Sequence, residues 1–271
     1  MTNPFTQMLR ASGGHPPLGT WLVSASAIVA EAVGCAGFDW VVIDMEHGPS
    51  EVTDVTHILQ ALAGTKTVPV VRVPSHDAVV VRRVLDAGAG ALMLPFVQSA
   101  EQARCAVAAT RFAPDGVRGV AGMSRASRFG TAANYLRTAN HNVAVIVEIQ
   151  SLQAIDQLDA MARVDGVDAF FLGMSDLSAA LGQAGRTNHP SVVEQMSRAV
   201  QRCKALGKPI GTAAMTPQVA AQYRAAGFDF IAVASDLGLM MSAAQGVIAA
   251  LRTAADEHVH TLVSATRTAT P

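Results

Sequence analysis

Eight short apolar runs recur along this chain, and each is followed by a stretch with helical spacing. The runs read as strands at Gly19–Val23, Trp40–Asp44, Pro69–Val73, Ala91–Pro95, Ala144–Ile149, Ala169–Gly173, Pro209–Ala213 and Phe230–Ala234. The helical stretches fall near Ala27–Cys35, Thr53–Ala63, Ala78–Ala87, Ala100–Thr110, Leu152–Met161, Val192–Leu206, Pro217–Ala225 and Gly238–Ala255. Continuously apolar strands are buried on both faces, which is the condition of a parallel sheet sheathed in helices. Eight alternations therefore predict an α/β protein, one closed parallel (β/α)8 TIM barrel over residues 1–271. A doubly wound open sheet is the rival architecture. Glycine follows several helical stretches just before a strand (Gly37, Gly88, Gly166, Gly227), where a left-handed residue turns the chain.

The 271 residues are half apolar, enough for one large core, and carry a formal net charge of −1. That charge leaves no basic footprint for nucleic acid. No apolar run approaches the ~18 residues of a membrane span, and no basic region with an apolar run opens the chain. A cytoplasmic protein is expected. Three scattered cysteines without a CxxC pair suit a reducing compartment and read as buried small hydrophobes.

In a barrel the reactive groups stand where strands end and their loops begin. The second strand delivers Asp44, Glu46 and His47; the third carries Arg72; the fifth carries Glu148 and Gln150; Asp176 follows the sixth. Glu148 and Gln150 are two apart on a strand and share a face. Two carboxylates with an amide oxygen and water suit a hard divalent ion, Mg2+ or Mn2+, with Co2+ and Zn2+ as further candidates. The competing reading pairs Glu148 with Arg72 and binds no metal. His47, with Asp44 three residues earlier on one of its ring nitrogens, is expected to act as a general base. Arg72 sits in an apolar strand and cannot shed its charge, so it must face an anion: a metal-bound carboxylate, an enolate oxygen, or a structural partner. The only lysines are Lys66, Lys204 and Lys208, none mid-strand, so Schiff-base chemistry has no candidate.

Residues 111–140 are too long for an ordinary connection and are expected to form a lid over the mouth or an oligomer contact. Arg118, Arg125 and Arg128 in that segment either meet an anionic substrate, or solvate a surface loop or pair with acids. Residues 262–271 are expected to fray or to pack on a neighbour.

Several segments together resemble the HpcH/HpaI family of metal-dependent 2-oxo-acid aldolases. They are Ile43–Pro49, Val71–Pro74, Leu85–Ala89, Thr110–Gly119 and Gly173–Gly182. The resemblance implies a lyase that reversibly cleaves a 4-hydroxy-2-oxo acid to pyruvate, or a related 2-oxo acid, and an aldehyde. It implies His47 as base aided by Asp44, Arg72 on the enolate oxygen, and Asp176 on the metal. Arg72, Gln150, Gly173 and Ser175 are then the substrate contacts. It also implies a homo-oligomer, a hexamer or trimer, with exchanged C-terminal helices, and small-molecule partners rather than nucleic acid or membrane. One position departs from the pattern: family members commonly read Gln-hydrophobic-Glu on strand five, and this chain reads Glu148-Ile149-Gln150. The carboxylate stands roughly 6–7 Å back along the strand. The metal then shifts toward Glu148 with the Gln150 amide oxygen as a ligand, or binds weakly through Gln150 and Asp176, or is lost. The alternatives are a CoA-ester lyase of the citrate lyase β type and a catalytically silent ligand-binding barrel.

Overall fold

The computed structural model describes residues 3–267, with side chains described through Thr253. Eight parallel strands close into a barrel in chain order: β1 (Leu18–Leu22), β2 (Trp40–Asp44), β3 (Val68–Arg72), β4 (Ala91–Leu94), β5 (Ala144–Ile149), β6 (Ala169–Leu172), β7 (Ile210–Ala214) and β8 (Phe230–Ser235). β8 returns to β1 through Leu18↔Ile231, Gly19↔Ala232 and Trp21↔Ser235, with a register shift between the last two pairs. The expected strands are all present within a residue or so of their ends. The doubly wound rival is excluded by the closing β8–β1 pair.

Helices follow because their first turns are capped. Ser26, Asp77, Ser99, Ser151 and Thr216 each accept a backbone N–H at a helix start, and Pro190 and Pro217 open two of the helices. The stretch expected as one helix over 152–161 is two, Leu152–Asp156 and Leu158–Ala162. Two helices were not anticipated, Pro4–Ala11 and Met174–Ala180. The C-terminal helix runs from Asp236 to Arg267 and so covers part of the segment expected to fray; residues 268–271 lie outside the described residues. Among the described residues, no helix is long and apolar enough to cross a membrane.

The core has two compartments. One fills the space between strands and outer helices, with Val41, Ile43, Val71, Leu92 and Val147 facing outward. The other fills the barrel, with Trp40, Val42, Val70, Met93, Ile146, Phe171 and Phe230 facing inward. This alternation is the period-two rule of a strand. The floor is aromatic: Phe5, from the N-terminal helix, meets Trp40 and Phe230 edge-on at centroid distances of 6.4 and 5.4 Å. Gly19 makes that floor possible, because a Cβ there would lie 2.5 Å from the Trp40 indole.

Part of residues 111–140 packs against the end of the helix that leads into β4. Arg118 donates to Asp86 Oδ1 at 2.8 Å and to the Tyr135 hydroxyl at 3.0 Å, and lies over the Phe112 ring. Arg125 donates to the Ala87 carbonyl at 2.9 Å. Asp86 ends, and Ala87 immediately follows, the helix leading into β4. Arg118 and Arg125 are structural there.

Candidate active site

The inward parity that makes the floor apolar makes the mouth ionic. Two residues beyond Val42 stands Asp44, two beyond Val70 stands Arg72, and two beyond Ile146 stands Glu148. Asp44 and Arg72 are register partners across β2 and β3.

Arg72 is the hub. Its Nε and Nη2 donate to the two Asp44 oxygens at 3.0 and 2.7 Å, and Nη1 donates to Glu148 Oε1 at 3.2 Å. Glu46 Oε2 lies at ion-pair distance, 3.0 Å from Nη1. The face of the guanidinium stacks on Trp21, with Cζ 4.3 Å from the ring centroid. Burial alone would lower the pKa of Arg72, but the Asp44 bond and the Glu148, Asp44 and Glu46 charges outweigh it and hold it above its ordinary value. The charge is permanent, and a guanidinium with five N–H groups keeps donors beyond these three bonds. The Arg72–Glu148 pair weighed against metal binding is therefore present.

Burial also pushes Glu148 up, to about 8, although Arg72 pulls it down; Glu46, Asp176 and Asp44 add to the rise. Glu46 is raised as well, by burial first, with Arg72 and His47 opposing. Glu46 Oε1 and Glu148 Oε2 are buried and accept from no N–H or O–H.

His47 stands above this cluster with its side chain 64% exposed. The carboxylate expected on its ring is not there. Asp44 gives both oxygens to Arg72, and Oδ1 also accepts the backbone N–H groups of Glu46 and His47 at 3.0 and 3.3 Å. The acid facing the ring is Glu46, with Oε1 3.9 Å from Nε2. Register pairing of Asp44 with Arg72 explains the difference: two strand-borne side chains meet before a loop side chain can compete. Asp44 thus orders the His47 loop through the backbone.

On the other side, Gln150 Oε1 accepts the Phe96 N–H at 2.9 Å, and Gln150 Nε2 donates to Asp176 Oδ2 at 3.3 Å. The amide oxygen expected on a cation is thus bonded elsewhere. Gly173 caps the helix that carries Ser175 and Asp176. A Cβ on Gly173 would lie 2.9 Å from Asp176 Oδ2 and 3.1 Å from Gln150 Cγ. The Ser175 carbonyl accepts from the Ser178 hydroxyl.

Of the residues anticipated from the sequence, Asp44 and Glu148 meet on Arg72, with His47 in the adjoining loop, while Gln150, Gly173 and Asp176 form a second group and Ser175 joins neither. Trp21 was missed, and Glu46, named among the groups at the end of the second strand, was given no role. Trp21 follows inward parity from Gly19, so strand pattern held the clue. Glu46 sits in a loop, where no periodicity signals burial.

A divalent cation fits this mouth. Buried carboxylate oxygens without donors are completed only by a proton or a cation, and every donor here is a hard oxygen. Among the described residues no three His, Cys, Asp or Glu side chains form a metal cage. Mg2+ requires none, since it is commonly held by one or two carboxylates with water and substrate oxygens.

Comparison with known proteins gives the family. The family model for HpcH/HpaI aldolase/citrate lyase matches residues 18–243. The chain belongs to this family. A relative from Pseudomonas putida, 2-dehydro-3,6-dideoxy-6-sulfogluconate aldolase, is 49% identical over 236 residues, covering 87% of this chain and 92% of its own. The 5-keto-4-deoxy-D-glucarate aldolase of Enterobacter sp. (strain 638) is 44% identical over 228 residues, covering 84% and 89%. The crystal structure of an HpcH/HpaI aldolase/citrate lyase family protein from Burkholderia cenocepacia J2315 superposes with a TM-score of 0.89 at 42% identity, covering 93% of this chain and all of that one. Aldolases of the HpcH/HpaI family generally depend on a divalent metal ion.

Proposed function

We propose that this protein is an HpcH/HpaI aldolase, a carbon–carbon lyase that cleaves a 4-hydroxy-2-oxo acid into pyruvate, or a related 2-oxo acid, and an aldehyde. The observation that carries the reading is Arg72, a permanent cation fixed at the mouth by Asp44 and Glu148 with donors to spare. Negative charge develops on the 2-oxo oxygen as the C3–C4 bond breaks. Arg72 is aimed by three bonds before substrate arrives, so it stabilises that charge without reorganising. His47 takes the C4 hydroxyl proton, directly or through water, with Glu46 Oε1 3.9 Å from its Nε2. Reprotonation at C3 completes pyruvate.

Asp176 and the open oxygens of Glu148 and Glu46 are the donors suited to Mg2+ or Mn2+. When bound, the ion supplies Lewis-acid polarisation of the oxo acid. The sugar-acid aldolases among the relatives favour polyhydroxylated oxo acids as the substrate class. Action in the cytoplasm as a homo-oligomer, a trimer or hexamer, completes the reading. Its support is apolar side chains left exposed on the C-terminal helix (Met240, Met241, Val247, Ile248, Leu251). A groove of about 860 Å3 lies beside the start of that helix, lined by Met8, Leu18, Phe38, Ala220 and Leu239 and well away from the reactive groups.

The test is a screen of 4-hydroxy-2-oxo acids with varied tails, scored by pyruvate release with and without EDTA. Release that EDTA abolishes and Mg2+ or Mn2+ restores is the expected result. No release from any member, with binding of pyruvate and Mn2+ also absent by calorimetry, would leave a silent barrel.

A further inference from the structure

Gln150 occupies the rim position where the family pattern puts a carboxylate, and its surroundings give the amide another task. It is 6% exposed. Its oxygen faces β4 and its nitrogen faces the loop after β6. The orientation is dictated by its partners, because turning the amide over would set N–H against the Phe96 N–H and carbonyl against the Asp176 carboxylate. Phe96 needs such a partner. Its φ is 55°, a left-handed backbone that a bulky side chain adopts only when its surroundings hold it there. Its ring is half exposed at the rim. Gly173 lets Gln150 and Asp176 approach by leaving out a Cβ that would crowd both.

We propose that Gln150 is a positioning residue, a strut that ties the ends of β4, β5 and β6 by holding the Phe96 turn and aiming the Asp176 carboxylate, and that it gives a cation no oxygen. The inference rests on the aldolase reading of this mouth. It assigns the change of residue order on β5 a physical consequence: the Asp176 carboxylate is held by a neutral donor rather than faced by a second charge at position 150.

Two variants separate a strut from a ligand. Gln150→Leu removes both bonds at similar size. Gln150→Glu keeps an acceptor for the Phe96 N–H but removes the donor to Asp176 and adds a charge beside it. Hydrogen exchange at the Phe96 amide, Mn2+ affinity by electron paramagnetic resonance and steady-state kinetics are measured on each, with the Ile146 amide as a reference for intact folding. In Gln150→Leu, Phe96 exchange accelerates about tenfold, the equivalent of one hydrogen bond. Its kcat falls by a similar factor, and Mn2+ affinity stays within about twofold. In Gln150→Glu, Phe96 protection is rescued and Mn2+ binds about tenfold more tightly. Unchanged Phe96 exchange in Gln150→Leu overturns the proposal, as does a tenfold loss of Mn2+ affinity there, which would make Gln150 a ligand. If the unaltered protein binds no Mn2+, the cation leaves the proposed function, and Phe96 exchange alone decides the strut.

Discussion

Arg72 is held by charge on its edge and by Trp21 on its face, and this makes its neighbours' titration a property of the fold. Glu148 shows the consequence. Folded, it titrates at about 8; its ordinary value is 4.5. Between these values the folded state binds the extra proton, so this contribution to stability is complete below pH 4.5 and is lost as pH rises toward 8. The slope is on the order of 1 kcal/mol per pH unit within that window. Thermal melts in EDTA should show it, and Glu148→Gln should flatten it and raise Tm above pH 8. An unaltered slope in that variant would place the titrating group elsewhere. His47 and Asp44 should separate in the same way. His47→Ala is expected to lower kcat by about 10²–10⁴ and to remove the basic group from the pH–rate profile. Asp44→Asn should act through Arg72, raising KM for the oxo acid while that group remains in the profile. Loss of the same ionisation in both variants would restore the Asp44–His47 pairing that the spacing suggested.

The elements matter through what they seal. The Pro4–Ala11 helix carries no reactive group, yet its Phe5 closes the barrel floor beneath Trp40, Phe171 and Phe230. Trp21 packs edge-on to Phe171 at 5.8 Å, so the stack that seals the bottom also supports the platform on which Arg72 lies. Phe5→Ala should cost about 3–5 kcal/mol of stability, read by denaturant unfolding. It should lower activity less than any change at the mouth, because the defect lies at the far end. At the other seam Asp236 accepts from the Val23 and Ser24 N–H groups and from the Ser24 hydroxyl. This fastens the end of β1, and with it Trp21, to the helix after β8.

For the whole molecule, one chain contains the ionic mouth but leaves apolar surface uncovered. Val117, Val120, Met123 and Phe129 of the 111–140 segment are exposed, as are side chains along the C-terminal helix. Burying these faces in an oligomer is the expected arrangement. Val247→Glu together with Leu251→Glu should shift the mass seen by light scattering toward a single chain and lower activity at low protein concentration. An unchanged mass would remove this helix from any interface.

The sequence by itself determined the barrel and the membership of its mouth. Period-two burial and glycine-ended helices are local properties, so Trp40–Asp44 and Ala144–Ile149 were legible to the residue. The same parity sends Asp44, Arg72 and Glu148 inward, which is why these could be named beforehand. Tertiary structure decided who bonds to whom. Asp44 lies three residues from His47 along the chain, yet β2–β3 register gives it to Arg72. Gln150 was expected to turn its oxygen to a cation, yet a neighbouring strand's N–H claims it. Such choices depend on which donors other strands bring within about 3 Å, and no spacing within one segment encodes that distance.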